Sequence, residues 1–227
     1  MKVVLLHAFP LDERMWEPQR QALEGADVHA PRLYGSGRTV DELADAVVRE
    51  VPDGELVVVG ASMGGYAALA LARKAPERVR GLVLVGARPD PDTEERRRGR
   101  ADTIELIRNE GAEGLWRALR PRLFPPEART EVVERGRAIT VDQDPDELVA
   151  AVEAMRDRPD ATDVAESFGD RLLVVVGSRD PFVSVDEAYA FGHGAAASVF
   201  EGSGHLPNME RPEEFNQVVM DFLARWR

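Results

Sequence analysis

The chain has 227 residues, enough for one domain or for one domain carrying a sizeable insertion. It is 44% hydrophobic and 31% charged, as a globular protein with a full core should be, and it contains no cysteine, which excludes disulfides, thiolate nucleophiles and Cys-based metal sites. A formal net charge of −12 argues against polyanionic partners, so neither nucleic acid nor an acidic membrane surface is expected as a ligand.

Taken in order, Lys2–Leu6 (KVVLL) is a continuous aliphatic, β-branched run, the pattern of a strand buried on both faces of a parallel sheet. A strand starting so early leaves no room for a signal peptide. No apolar run approaches the ~20 residues of a membrane span, so a cytoplasmic protein without membrane association is expected. After His7-Ala8-Phe9-Pro10, the stretch LDERMWEPQRQALEG reads as a helix closed by Gly25, and Asp27–Ala30 as a short strand. The loop RLYGSGRT follows, with Thr39 placed to cap a helix beginning near Val40.

Leu56–Val59 is the next strand, and a helix from Met63 to Lys74 follows it almost at once. Arg73 and Lys74 suit that helix's negative end, and Pro76 lies just beyond it. Leu82–Val85 is another buried strand. Strands alternating with helices imply a parallel sheet with right-handed crossovers.

From Ala87 to Asp170 the strand rhythm stops. Helical patches replace it at Thr93–Arg108, Glu113–Leu119, Pro126–Ile139 and Pro145–Arg156, separated by Pro, Gly and Asp. Strands resume at Leu172–Val176 and Ser198–Phe200, with a helix near Asp186–Phe191 between them and a final helix over Pro212–Arg225. The expected division is a core of residues 1–86 and 170–227 with a helical insertion over 87–169.

The chemistry concentrates on Gly60-Ala61-Ser62-Met63-Gly64, a G-x-S-x-G pattern set between a buried strand and a helix. The turn is too tight for ordinary side chains, hence the glycines, and it presents Ser62 at the carboxyl end of a strand and the amino end of a helix. A glycine-rich turn with an incidental serine is the bland alternative, so Ser62 needs partners. A serine hydroxyl becomes nucleophilic when a base takes its proton and a carboxylate holds that base in the right tautomer.

His205, in the Gly-rich loop after the last strand, falls at the same sheet edge as Ser62. His7 is better suited to fixing its own loop through backbone hydrogen bonds, His29 sits within a strand, and His193 has nothing to recommend it. With no H-x-x-x-H spacing among the four histidines, no metal is expected, and no cofactor is called for. Asp180, a short turn after Leu172–Val176, is the matching acid, whereas Asp90 and Asp92 lie past Pro89 and fit worse. Backbone N–H groups of Met63 and Phe9, with Ala8 as fallback, are the expected oxyanion donors.

The order Ser62…Asp180…His205, with HAFP, GASMGGYAAL, GSRDPFV and SGHLPNMERPEEF around it, resembles the α/β-hydrolase superfamily over essentially the whole chain. The resemblance implies Ser62, Asp180 and His205 as catalytic set and residues 87–169 as an all-helical cap of the kind in bacterial esterase and enol-lactonase-like members. It also implies a mostly parallel six-stranded sheet lacking the usual N-terminal hairpin, and the sequence departs from the family pattern in placing Ala8 where a glycine is usual. The expected activity is hydrolysis of a small carboxylic ester or lactone through an acyl-enzyme on Ser62. The same triad also serves C–C bond hydrolysis, elimination and perhydrolysis, and a non-catalytic ligand-binding relative is the alternative outside enzymes.

Trp116, Leu119, Phe124 and Leu206 are the candidate apolar pocket residues. Arg88 is a candidate for holding a substrate carboxylate, an outward-facing arginine being its alternative among 27 arginines. The partner expected is the small-molecule substrate, and a homodimer is compatible with the sequence.

Overall fold

The computed structural model describes residues 1–192 and 196–226; His193 lies outside them. Six strands form one sheet: β1 (Lys2–Leu6), β2 (Asp27–His29), β3 (Leu56–Ala61), β4 (Val79–Val85), β5 (Leu172–Gly177) and β6 (Ala196–Phe200). Their spatial order is β2-β1-β3-β4-β5-β6, and every pairing is parallel.

The period-2 alternation of each strand divides its side chains between two layers. Val4, Leu6, Val58, Leu84 and Val174 join one buried cluster. It also contains helices α2 (Val40–Glu50) and α3 (Met63–Lys74). Val3, Leu5, Val59, Val85 and Val175 face the other, with Trp16, Phe200 and Phe215. Burial on both faces explains why these strands are unbroken Val/Leu runs.

Register then fixes where the chemistry falls. Leu6 pairs with Gly60, Ala61 with Val85, Val85 with Val175, and Gly177 with Phe200. The carboxyl ends of β1, β3, β4, β5 and β6 therefore lie along one sheet edge, where ligands bind in open α/β sheets. The residues that follow those strands, beginning with His7, Ser62, Gly86, Ser178 and Glu201, emerge together.

Several boundaries differ from expectation for physical reasons. The first predicted helix is split into a 3₁₀ turn, Glu13–Trp16, and α1 (Glu17–Ala22), the latter starting where Pro18 occupies the first turn. Thr39 does cap α2, in a reciprocal capping box with Glu42.

Between β4 and β5 run α4 (Glu94–Leu123), α5 (Thr130–Val141), α6 (Pro145–Arg156) and α7 (Thr162–Phe168). The gap expected between residues 108 and 113 is a break at Gly111, whose φ of 65° interrupts α4. α5 starts at Thr130, not near Pro126, and α7 extends the helical run beyond Arg156. Ile104, Ile107, Leu115, Leu148 and Val152 of this stretch are continuous with the α2/α3 layer, so the insertion is packed onto the sheet domain. The remaining helices are α8 (Val185–Gly192), α9 (Pro207–Glu210) and α10 (Pro212–Leu223). No helix among the described residues is long and apolar enough to cross a membrane.

Candidate active site

Ser62 stands alone between β3 and α3 with φ 49° and ψ −111°, the one non-glycine with positive φ among the described residues. Such a conformation costs on the order of 1–3 kcal/mol and persists where its surroundings over-determine it. Here they do. A Cβ on Gly60 would lie 2.4 Å from the Gly64 carbonyl oxygen, and one on Gly64 would lie 2.1 Å from that of Leu6. The turn thus closes on itself and against the end of β1, and neither glycine tolerates a side chain. The Ser62 N–H donates to the Val85 carbonyl (2.8 Å), which ties the turn to β4. The serine is partly exposed, and its Oγ makes no hydrogen bond among the described residues.

His205 and Asp180 are brought together from the loops after β6 and β5. His205 Nδ1 lies 2.8 Å from Asp180 Oδ2, and both side chains are almost wholly buried. With a carboxylate accepting at Nδ1, that nitrogen carries the proton and Nε2 is left as an acceptor. The other carboxylate oxygen, Oδ1, accepts from the Phe182 N–H (2.8 Å) and the Val183 N–H (3.3 Å), so Asp180 is held on both sides. The loop carrying His205 is fixed by Glu210, which accepts from the N–H groups of Gly204 and Leu206. Burial pushes the Glu210 carboxyl above the usual carboxylate range. His205 N–H itself donates to the Leu123 carbonyl (3.1 Å), joining the loop to the end of α4.

Sequence reasoning missed Gly86. It follows β4 with φ 54°, and a Cβ there would lie 2.9 Å from Asp180 Oδ2 and from Nδ1 and Cε1 of His205. The Asp–His pair therefore rests against bare backbone, next in the chain to the Val85 carbonyl that receives the Ser62 N–H. A glycine directly after a buried strand, outside any recognised motif, was the available signal.

At the end of β1, His7 is fully buried and accepts from the Leu33 N–H at Nε2 (2.9 Å), with Nδ1 3.3 Å from the Ala8 carbonyl. Burial pushes its pKa down to about 4. It braces the loop carrying Phe9 and stays neutral near pH 7. The Ala8 N–H is directed at the Met15 sulfur (3.2 Å), while the Phe9 N–H makes no hydrogen bond among the described residues. Met63 opens α3, so its N–H has no intrahelical acceptor.

The predicted pocket residues separate. Trp116, Phe124 and Leu206 are buried members of one core cluster, with the two rings 6.2 Å apart, and serve as packing. Leu119, half-buried, borders both clusters. Arg88 is buried and already paired, with Asp90 through Nε and with Glu187 through Nη1 (3.0 Å), so it is not free to receive a substrate carboxylate. Among the described residues no group of His, Asp and Glu side chains is arranged to hold a metal ion.

Residues 3–218 match the profile described as the alpha/beta hydrolase family. A solved thermophilic esterase from Thermogutta terrifontis, with malate bound, is 33% identical with a TM-score of 0.92, covering 99% of this chain and 90% of that one. The enol-lactonase of Burkholderia xenovorans LB400 is 25% identical with a TM-score of 0.84, covering 98% and 91%. The pimeloyl-[acyl-carrier protein] methyl ester esterase of Vibrio campbellii is 26% identical over 98% of this chain and 94% of its own length.

Proposed function

Since the chain belongs to the alpha/beta hydrolase family, we propose that it is a serine hydrolase of small carboxylic esters or lactones, working through an acyl-enzyme on Ser62. The observation that carries this reading is the buried 2.8 Å contact between His205 and Asp180, set against Gly86 and one residue from the carbonyl that anchors Ser62. The esterase and lactonase relatives support the same reaction class.

In this reading His205 Nε2 takes the Ser62 proton as Oγ attacks the substrate carbonyl. The imidazolium so formed is stabilised by Asp180, and the oxyanion is received by the N–H groups of Met63 and Phe9. The C–O bond to the leaving alcohol then breaks and the alcohol departs with the proton from His205. A water, deprotonated by the same nitrogen, attacks the acyl-enzyme, releasing the acid and restoring Ser62. Residues 87–169 act as the cap: α4 reaches the catalytic histidine loop through Leu123, and closure over the sheet edge would exclude water.

Ser62→Ala tests the reading with short-chain 4-nitrophenyl esters. Turnover should fall by at least about 10⁴-fold, since removing the nucleophile leaves only binding and oxyanion stabilisation. A folded variant retaining near wild-type turnover would overturn the assignment.

A further inference from the structure

Arg122, close enough to Asp180 to feel its charge, is left without a carboxylate partner among the described residues. Asp90 serves Arg88 and Arg96, Asp92 serves Arg158 and Arg100, and Glu187 serves Arg88 a second time. Arg122 has no hydrogen bond or ion pair among the described residues.

Its placement is also specific. Arg122 precedes Leu123, whose carbonyl receives the His205 N–H, so the backbone beneath it is bonded to the catalytic loop. Its guanidinium carbon lies 4.2 Å from the centre of the Phe182 ring, and that ring lies 4.6 Å from the His205 imidazole. One face of the guanidinium is thus shielded on an aromatic ring while the side chain remains exposed. That shielding and the repulsion of Arg100 both push the Arg122 pKa down, a strain that a bound anion would relieve. Asp180, the opposing charge acting on it, is committed to His205 and to two backbone N–H groups. Leu119 lies three residues earlier on the same helix, and with half-buried Phe182 it supplies apolar surface beside the charge.

Resting on the hydrolase reading above, we infer that Arg122 is a substrate-binding residue that selects esters or lactones carrying a second, ionised carboxylate. An aliphatic stretch would lie along Leu119 and Phe182, and the free carboxylate would pair with the open edge of the guanidinium. This is the role for which the sequence makes Arg88 a candidate, reassigned to an arginine without a carboxylate partner among the described residues.

The test compares mono-4-nitrophenyl adipate with 4-nitrophenyl hexanoate, whose chains match except for the terminal carboxylate. Wild type should favour the charged ester, and Arg122→Gln should lower the ratio of the two kcat/KM values by about tenfold or more, chiefly through KM. Arg122→Lys should restore part of it. A ratio unchanged by Arg122→Gln would overturn the inference, as would losses that are equal on both esters. Calorimetric binding of monomethyl adipate to Ser62→Ala protein separates this from failure of the hydrolase reading. If wild type hydrolyses neither ester, but monomethyl adipate binds and Arg122→Gln weakens it tenfold, the anion site stands without the reaction. If the Arg122→Gln change leaves binding unaltered, the site is wrong whatever the turnover.

Discussion

Gly86→Ala is the change whose effect can be worked most closely from the structure. At φ 54° an alanine is strained by about 1 kcal/mol relative to glycine. Its Cβ would also lie 2.9 Å from three atoms of the Asp180–His205 pair, closer than Cβ atoms are found. Three atoms of two buried, hydrogen-bonded side chains cannot all move aside by several tenths of an ångström and keep a 2.8 Å contact. A misplacement of about 1 Å near reacting groups costs up to roughly 10²-fold in rate, and loss of the orienting carboxylate costs about 10⁴ in a serine protease. A partial displacement should therefore lower kcat by about 10- to 100-fold, with stability down by roughly 1–3 kcal/mol. The assay is steady-state hydrolysis of 4-nitrophenyl acetate together with urea unfolding.

Gly169→Ala is the matched control. Its φ of 53° is nearly the same, but nothing lies within 4 Å of its Cβ. It should show a stability loss of similar origin and leave kcat unchanged. If Gly86→Ala keeps wild-type kcat, or if both variants lose it equally, the claim that Gly86 seats the Asp–His pair is refuted.

Two further outcomes follow from the same geometry. Ser62→Gly should raise stability above that of Ser62→Ala by about 1 kcal/mol or more, because only glycine relieves the φ 49° conformation, while both variants lose hydrolysis; urea midpoints of the two compare them directly. His7 has a folded pKa of about 4 against an ordinary 6.5, so the unfolded chain binds its proton first as pH falls. Stability from this group is complete above pH 6.5, is lost between there and pH 4 by on the order of 3 kcal/mol, and changes no further below. Unfolding curves across that range should be shallower in pH for His7→Asn than for wild type, and parallel curves would contradict the burial argument.

The sheet was legible because parallel strands buried on both faces must be written as aliphatic runs, and Lys2–Leu6, Leu56–Val59 and Leu172–Val176 leave no other reading. The serine turn was legible because its glycines are demanded by close backbone contact, which motif spacing records. Gly86 and Arg122 were not, for opposite reasons. A single glycine after a strand carries no sign of what will rest against it. An arginine among 27 gives no hint of which carboxylates its neighbours will consume. Arg88 is a carboxylate-binding candidate from the sequence because the sequence does not show Glu187 arriving from α8 to pair with it. The seven-residue α7 and four-residue α9 are too short for helical periodicity to register.

The most direct measurement of the central claim is intact-mass spectrometry after incubation with a small alkyl fluorophosphonate, followed by peptide mapping. The expected result is one adduct per chain, located on Ser62, whose formation slows at least a hundredfold in His205→Ala protein that remains folded. Folded wild-type protein that stays unlabelled, or that labels at any other residue, would contradict the assignment of Ser62 as an activated nucleophile.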